Sequence, residues 1–154
     1  MSNALVYTSY MKTTPEKLWA AITNPEFARQ YWGGHVNMSD WKKGSKWQHE
    51  DTNNNNNVRI AGKVVECTPP KHLVLTWASP GNEAEISTVT FVIEPVEDMV
   101  KLEVTHAELK AGSDMAQGVS KGWPLVLSSL KTYLETGKAL NIFAVKACNA
   151  PKVA

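Results

Sequence analysis

A chain of 154 residues and 17.0 kDa has the length of one domain and can bury a core without disulfides or metal ions. Hydrophobic residues make up 43% and charged residues 20%, a composition that excludes wholesale disorder. Sixteen basic and fifteen acidic residues give a net charge of +1, and the basic residues are scattered. We therefore expect no nucleic-acid partner.

The targeting and redox signals are those of a cytoplasmic protein. No apolar run approaches the ~20 residues that cross a bilayer, so we expect no membrane span. The N-terminus lacks the basic and apolar regions of a secretory signal. Two cysteines, Cys67 and Cys148, form neither a disulfide framework nor a ligand pair, which is typical of a reducing cytoplasm. Six tryptophans indicate a large aromatic interior or a pocket.

The first forty residues predict one strand and two short helices. Leu5–Lys12 is rich in β-branched and aromatic residues, which favours a strand. Thr14-Pro15-Glu16 is a helix start, and Asn24-Pro25-Glu26 repeats it for a second helix that runs to about Tyr31. Gly33-Gly34 should end that helix.

The middle of the chain predicts six further strands separated by turn sequences. The connections between them are too short for parallel crossovers, so an antiparallel meander is expected. The run Asn53–Asn57 should be an exposed hairpin tip. The six predicted strands are His35–Met38, Ser45–Glu50, Val58–Cys67, Leu73–Ala78, Ile86–Glu94 and Val100–His106.

The last predicted element is a helix from Ser113 to about Thr136. Its apolar face is formed by Trp123, Leu127, Leu130 and Leu134, and Gly137 should end it. Pro124 should either kink the helix or mark where its regular part begins. We expect a single domain over residues 1–137, with residues 138–154 as a tail that packs on it. Element order alone predicts an α+β protein.

Four segments resemble one known superfamily, and together they span about Tyr7 to Gly137. These segments are TTPEKLWAAITNPEFARQYWGG, GKVVECTPPKHLVLTW, VTFVIEPVEDMVKLEVTH and GWPLVLSSLKTYLETG. They resemble the SRPBCC superfamily, also called START-like, which has the helix-grip fold. Within it the sequence is most similar to the activators of the ninety-kilodalton heat-shock protein ATPase, which are related to polyketide cyclases and dehydrases.

The resemblance implies a curved sheet of seven antiparallel strands wrapped around the long C-terminal helix, with two short helices after the first strand. It also implies an elongated cavity between sheet and helix. Members of the superfamily bind lipids, hormones or polyketide-like molecules there, or serve as chaperone-binding modules. The asparagine run departs from the family pattern and should alter only a loop at the rim.

Strand alternation assigns the side chains that should face this cavity. On four predicted strands the side chains that should point inward are Ser45, Trp47 and His49; Leu73, Leu75 and Trp77; Val89, Phe91 and Ile93; and Leu102, Val104 and His106. Trp32 lies beside the Gly33-Gly34 turn, where the cavity mouth is expected, and is either a gate or a loop anchor. The candidate ligand-binding residues are Trp32, Trp47, His49, Leu75, Trp77, Phe91, Val104, His106, Trp123, Leu127 and Leu130.

Each of these side chains also has an ordinary structural interpretation. The tryptophans and Phe91 could simply fill the core. His49 and His106 could be core or rim histidines whose hydrogen bonds are satisfied. Such a surface, apolar with a few polar groups, is nonetheless typical of a binding pocket.

Three functions are compatible with the sequence. The first is a binding protein for a small hydrophobic, lipid- or polyketide-like molecule. The second is a cyclase- or dehydrase-type enzyme in which His106 or His49 acts as general acid or base. The third is a chaperone-interaction module. No phosphate loop, nucleophile motif or metal-ligand spacing occurs, so we expect no catalytic set, metal or cofactor. A protein partner, and either a monomer or a homodimer, fit the sequence.

Overall fold

The computed structural model describes residues 2–142, and seven strands and three helices make up most of this range. A 3-10 helix, Glu83–Glu85, precedes the sixth strand and was not predicted. The elements are β1 (Ser2–Met11), α1 (Pro15–Thr23), α2 (Pro25–Tyr31), β2 (His35–Ser39), β3 (Lys46–Asp51), β4 (Asn57–Thr68), β5 (His72–Trp77), β6 (Ser87–Val96), β7 (Met99–Lys110) and α3 (Asp114–Thr136).

The two short helices begin at the predicted capping residues. The Thr14 hydroxyl accepts a 3.2 Å hydrogen bond from the Lys17 backbone N–H, and a proline follows the cap. The Asn24 side-chain oxygen accepts a 2.9 Å bond from the Glu26 N–H in the same way. These bonds satisfy backbone donors that a helix start would otherwise leave unpaired, so both helix starts are confirmed.

The long helix α3 has the predicted ends and runs continuously through Pro124. The Ser113 hydroxyl accepts from the Ala116 N–H at 3.1 Å at its start. At its end Gly137 has a φ of 83° and donates to the Tyr133 carbonyl at 2.8 Å. That left-handed conformation favours glycine, which explains why the helix ends there.

The seven strands form one antiparallel sheet in the order β1-β7-β6-β5-β4-β3-β2. Register shifts interrupt the pairing of β1 with β7, of β3 with β4, and of β4 with β5, and such irregularities bend a sheet. Gly62 in β4 permits a close approach to β5, because a Cβ atom there would lie 2.0 Å from the Thr76 carbonyl oxygen. The tip formed by residues 53–57 is exposed, as predicted.

The concave face of the sheet and the apolar face of α3 enclose the core. Burial alternates along β3, β5, β6 and β7 as the sequence pattern predicts. On β5 the side chains of Leu73, Leu75 and Trp77 are buried, whereas Val74 and Thr76 are half-buried. The α+β, helix-grip-like architecture is thereby confirmed.

The chain beyond α3 turns back along the helix. Ser129 donates a hydrogen bond to the Leu140 carbonyl at 3.4 Å, and Ile142 is buried against Gly33. The described part of the predicted tail therefore packs on the core, while residues 143–154, with Cys148, lie outside the described residues. Within residues 2–142 no helix is both long and apolar enough to span a bilayer.

Candidate functional site

A pocket of about 100 Å³ opens between α3 and the half of the sheet that contains β3 and β5. We call it the aromatic pocket because rings form most of its wall. Its side chains come from the end of α2, from two strands and from one face of the helix. The lining residues are Trp32, His49, Trp77, Gly118, Val119, Gly122, Trp123 and Val126.

The sheet contributes two inward-facing rings to the aromatic pocket. His49 lies on β3 and Trp77 is the last residue of β5. Both are buried, and their ring centroids are 6.3 Å apart. Residues of alternate positions share a face of a strand, so the pattern that buries Leu75 also places Trp77 on this wall.

The helix contributes a surface with little side-chain bulk. Gly118, Gly122 and Val126 follow one another at intervals of four, so they share a face of α3. A Cβ atom built on either glycine would meet no atom within 4 Å. Gly118 is exposed and Gly122 is half-buried, so the lack of side chains at these positions leaves the helix side of the pocket open toward its mouth.

The tryptophans of the pocket pack against one another at its inner end. The Trp123 ring lies 5.9 Å from the Trp32 ring and 5.7 Å from the Trp77 ring, measured between centroids. The Trp32 ring lies 4.8 Å from the His49 ring. Tilted aromatic pairs at these distances attract each other, so the rings hold a defined wall.

A hydrogen-bond chain from α1 fixes the orientation of His49. The buried Asn37 side chain donates from Nδ2 to the Ile22 carbonyl oxygen at 2.9 Å. Its Oδ1 atom is therefore the acceptor that faces Nδ1 of His49 at 2.8 Å. The neutral His49 ring must then carry its proton on Nδ1.

A second histidine, His35, packs against His49 and is not among the residues that line the aromatic pocket. The His35 ring stacks on the His49 ring with centroids 5.1 Å apart and planes 14° apart. Nε2 of His35 lies 3.8 Å from Oδ2 of Asp51. Asp51 is the carboxylate paired with this stack, and it is not among the residues that line the aromatic pocket.

His106 is fully buried and is not among the lining residues. Its Nδ1 accepts a 3.0 Å bond from the Trp123 indole N–H, so the ring proton lies on Nε2. Nε2 donates to the Ser87 hydroxyl at 2.7 Å, and that hydroxyl donates to the Trp77 carbonyl at 3.2 Å. Burial lowers the pKa of His106 to about 4, so the ring is neutral at pH 7.

The structure brings four of the eleven predicted ligand-binding residues together in the aromatic pocket, namely Trp32, His49, Trp77 and Trp123. The other seven, Trp47, Leu75, Phe91, Val104, His106, Leu127 and Leu130, are buried in the core outside its lining. The expected elongated cavity is therefore a compact one. Large side chains such as Trp47, whose indole N–H donates to the Thr76 carbonyl at 2.7 Å, fill the remaining space.

Sequence reasoning missed the helix side of the pocket, which includes Gly118, Gly122 and Val126. The available signal was the pair of glycines four residues apart inside a long helix, where each costs stability. Asn37 was also missed, because its role depends on a carbonyl fifteen residues earlier in the chain.

The chemistry of the described site is apolar and aromatic. The described lining contains no Asp, Glu, Lys or Arg, and His49 is the one titratable side chain in it. Over residues 2–142 there is no cluster of three or more His, Cys, Asp or Glu side chains that could hold a metal ion.

The sequence model of the family described as "Activator of Hsp90 ATPase homolog 1-like protein" matches residues 12–135, which is most of the chain. The chain belongs to this family. The match covers all eight lining residues of the aromatic pocket. No curated protein matches the chain in sequence.

Solved structures of the Hsp90-activator family and of related proteins share the fold. An HSP90 activator from Plasmodium falciparum is 25% identical, with a TM-score of 0.72, over 85% of this chain and 95% of that one. The Aha1 dimer from Colwellia psychrerythraea is 23% identical, with a TM-score of 0.72, over 89% and 99%. CalU16 from Micromonospora echinospora is 19% identical, with a TM-score of 0.70, over 88% and 78%.

Proposed function

We propose that the protein binds a small, largely apolar molecule in the aromatic pocket. One observation carries this proposal: an open space of about 100 Å³ lies between three indole rings and two helix glycines, which have no side chain to fill it. Binding pockets are concave, mostly apolar and supplied with a few polar groups, and here His49 is the polar group.

The size of the pocket favours a compact ligand over an extended one. Pockets for drug-sized molecules measure about 300–1,000 Å³, several times the volume of this one. A lipid- or polyketide-like molecule, as the resemblance implied, would need Trp77 or Trp123 to leave its packed position. Trp77 contacts Trp47, His106 and Trp123, so such a movement would disrupt the core.

The cyclase- or dehydrase-type alternative has less support. His106 cannot exchange a proton with a ligand in this arrangement, because both of its ring nitrogens are engaged inside the core. His49 lines the pocket and would be the candidate acid or base. Its Nδ1 proton is committed to Asn37, which favours a role in orienting a ligand.

A second candidate function is regulation of an Hsp90-type ATPase. Family membership supports it, as does the similarity to the Plasmodium falciparum protein, which is described as an HSP90 activator. The ATPase rate of purified Hsp90 with and without this protein tests the candidate. A rise in that rate that persists in Gly118→Leu would place this activity outside the aromatic pocket.

We also propose a single domain over residues 1–137 in a cytoplasmic protein that is a monomer or a homodimer. The free Cys67 thiol supports a reducing compartment. The Colwellia psychrerythraea structure, described as a dimer, supports the homodimer over the monomer.

Native mass spectrometry of the protein purified from its own cells tests the binding proposal. We expect a co-purifying molecule of low mass that is lost in Gly118→Leu, whose side chain would fill the pocket. Ser128→Leu is the matched control, because Ser128 is an exposed residue of the same helix outside the lining. Equal retention of the molecule by both variants would contradict binding in the pocket.

A further inference from the structure

We infer that the ligand of the aromatic pocket is a neutral, planar ring that lies against the bare backbone of Gly118 and Gly122. This inference rests on the proposed function and narrows it to one class of molecule. It follows from the helix glycines, from the rings that face them, from the absence of charge in the described lining and from the volume.

The two glycines have no structural explanation within the described residues. Glycine destabilises a helix interior relative to alanine, and α3 contains two of them on one face. Neither has a positive φ, and a Cβ atom on either would meet nothing within 4 Å. Gly62 differs, since a Cβ atom there would collide with the Thr76 carbonyl. A ligand that lies against the helix backbone would explain why glycine occupies both positions.

The shape of the space favours a flat molecule. Because Gly118 and Gly122 have no side chains, the helix presents bare backbone to the pocket at these two positions. The rings of Trp32, His49 and Trp77 also line the pocket. Aromatic rings prefer offset or edge-on contact with other rings, and a planar ring meets several of them at once. A puckered ring of the same size would contact the helix strip and the rings less closely.

The charge of the lining favours a neutral molecule. The described lining contains no Asp, Glu, Lys or Arg, and the carboxylate of Asp51, which lies 3.8 Å from Nε2 of His35, is not part of it. An ionised ligand would leave water without gaining an Asp, Glu, Lys or Arg partner in the described lining, which is costly in an apolar site.

The volume limits the ligand to one ring. An engineered cavity of about 150 Å³ holds benzene, and the aromatic pocket has about 100 Å³. Because this pocket is open at its mouth, a single six-membered ring can enter with its substituents directed outward. Two fused rings would project from the mouth or displace Trp32.

Isothermal titration calorimetry with three probes tests the ligand class. Phenol is neutral and planar, cyclohexanol is neutral and puckered, and benzoate is planar and charged. We expect phenol to bind the full chain at least tenfold more tightly than either of the other two. Cyclohexanol binding equal to phenol would overturn planarity, and tighter benzoate binding would overturn neutrality.

The variant Gly122→Ala tests the role of the helix backbone. It should weaken phenol binding at least tenfold and raise the Tm by about 2–4 °C, because alanine favours the helix and meets no atom. Ser128→Ala, at an exposed position of the same helix, should leave phenol binding unchanged. A lower Tm in Gly122→Ala would assign the glycine to packing, and an unchanged affinity would show that phenol does not lie against the helix backbone; either result would overturn the inference.

The two proposals fail in different ways. If no probe binds while a co-purifying molecule is still lost in Gly118→Leu, the pocket binds a ligand of another class and only the inference is wrong. If no probe binds and no molecule co-purifies, both the inference and the proposed function are wrong.

Discussion

The indole N–H of Trp123 donates a 3.0 Å hydrogen bond to Nδ1 of His106, which joins the long helix to the last strand inside the core. Nε2 of His106 in turn donates a hydrogen bond to the hydroxyl of Ser87 on the neighbouring strand β6. Every polar atom of the imidazole is satisfied, so its role in this structure is to fix the helix on the sheet. Trp123 also lines the aromatic pocket, so this bond helps to hold the pocket wall in place.

Trp123→Phe should therefore destabilise the fold by about 2–4 kcal/mol. The variant leaves the buried Nδ1 of His106 without a donor and creates a small cavity. Urea denaturation measures the loss. The control is Trp41→Phe, which removes an indole bond to the Thr23 carbonyl at a half-buried site and should cost less than about 1.5 kcal/mol. Equal losses in the free energy of unfolding would show that the bond to His106 stabilises the fold no more than the bond from Trp41 to Thr23.

The low pKa of His106 predicts how stability depends on pH. The pKa falls from 6.5 to about 4 on folding because the ring is buried. Below pH 6.5 the unfolded chain binds a proton that the folded chain does not, so stability falls as the pH is lowered toward 4. By pH 5 the free energy of unfolding should be roughly 2 kcal/mol lower than at neutral pH because of His106 alone.

Two measurements check this pH dependence. Urea denaturation at pH 7.5 and pH 5 gives the loss of stability. A long-range ¹H–¹⁵N spectrum of the folded protein should show the His106 ring neutral, with its proton on Nε2, at both pH values. A titration midpoint near 6.5 in the folded state would contradict the assignment.

The fold was predictable because local and periodic signals agreed. Thr14, Asn24 and Ser113 cap the helices as their sequence contexts indicate, and Gly137 ends the last helix with a positive φ. Inward alternation was correct on β3, β5, β6 and β7 because one face of each of these strands is buried, which favours one register. The 3-10 helix Glu83–Glu85 was missed because it is a single turn with no apolar period.

The site was less predictable, because alternation gives the direction of a side chain and not the space around it. Trp47 and Trp77 both face inward, yet only Trp77 borders the pocket while Trp47 donates to Thr76 in the core. His106 was expected to face the cavity, whereas both of its ring nitrogens bond to side chains of other elements, Trp123 and Ser87. No pattern along one strand contains such contacts.

Trp77→Ala should destabilise the fold by about 3–5 kcal/mol, because the indole is buried against Trp47, His106 and Trp123. Chemical denaturation measures the effect. Trp19→Ala is the control, since Trp19 is only half-buried on α1 and should cost less. A loss below about 1 kcal/mol for Trp77→Ala would mean that its surroundings are open and hydrated.

Asn37→Ala should alter the pocket through His49. The variant removes the acceptor of the His49 Nδ1 proton and leaves the Ile22 carbonyl without this donor, at a cost of about 1–3 kcal/mol. The population of the Nδ1–H tautomer of His49 should fall, which a long-range ¹H–¹⁵N spectrum detects. An unchanged tautomer in Asn37→Ala would show that Asn37 does not orient His49.

Fluorine NMR of the protein labelled with 5-fluorotryptophan tests most directly whether a ligand binds in the aromatic pocket. Each of the six indoles gives its own signal, so those that line the pocket can be compared with those outside it. During a phenol titration the signals of Trp32, Trp77 and Trp123 should shift in a saturable manner. Those of Trp19 and Trp41, which are half-buried outside the pocket lining, should stay in place. Saturable shifts confined to Trp19 and Trp41, or none at any indole, would contradict binding in the aromatic pocket.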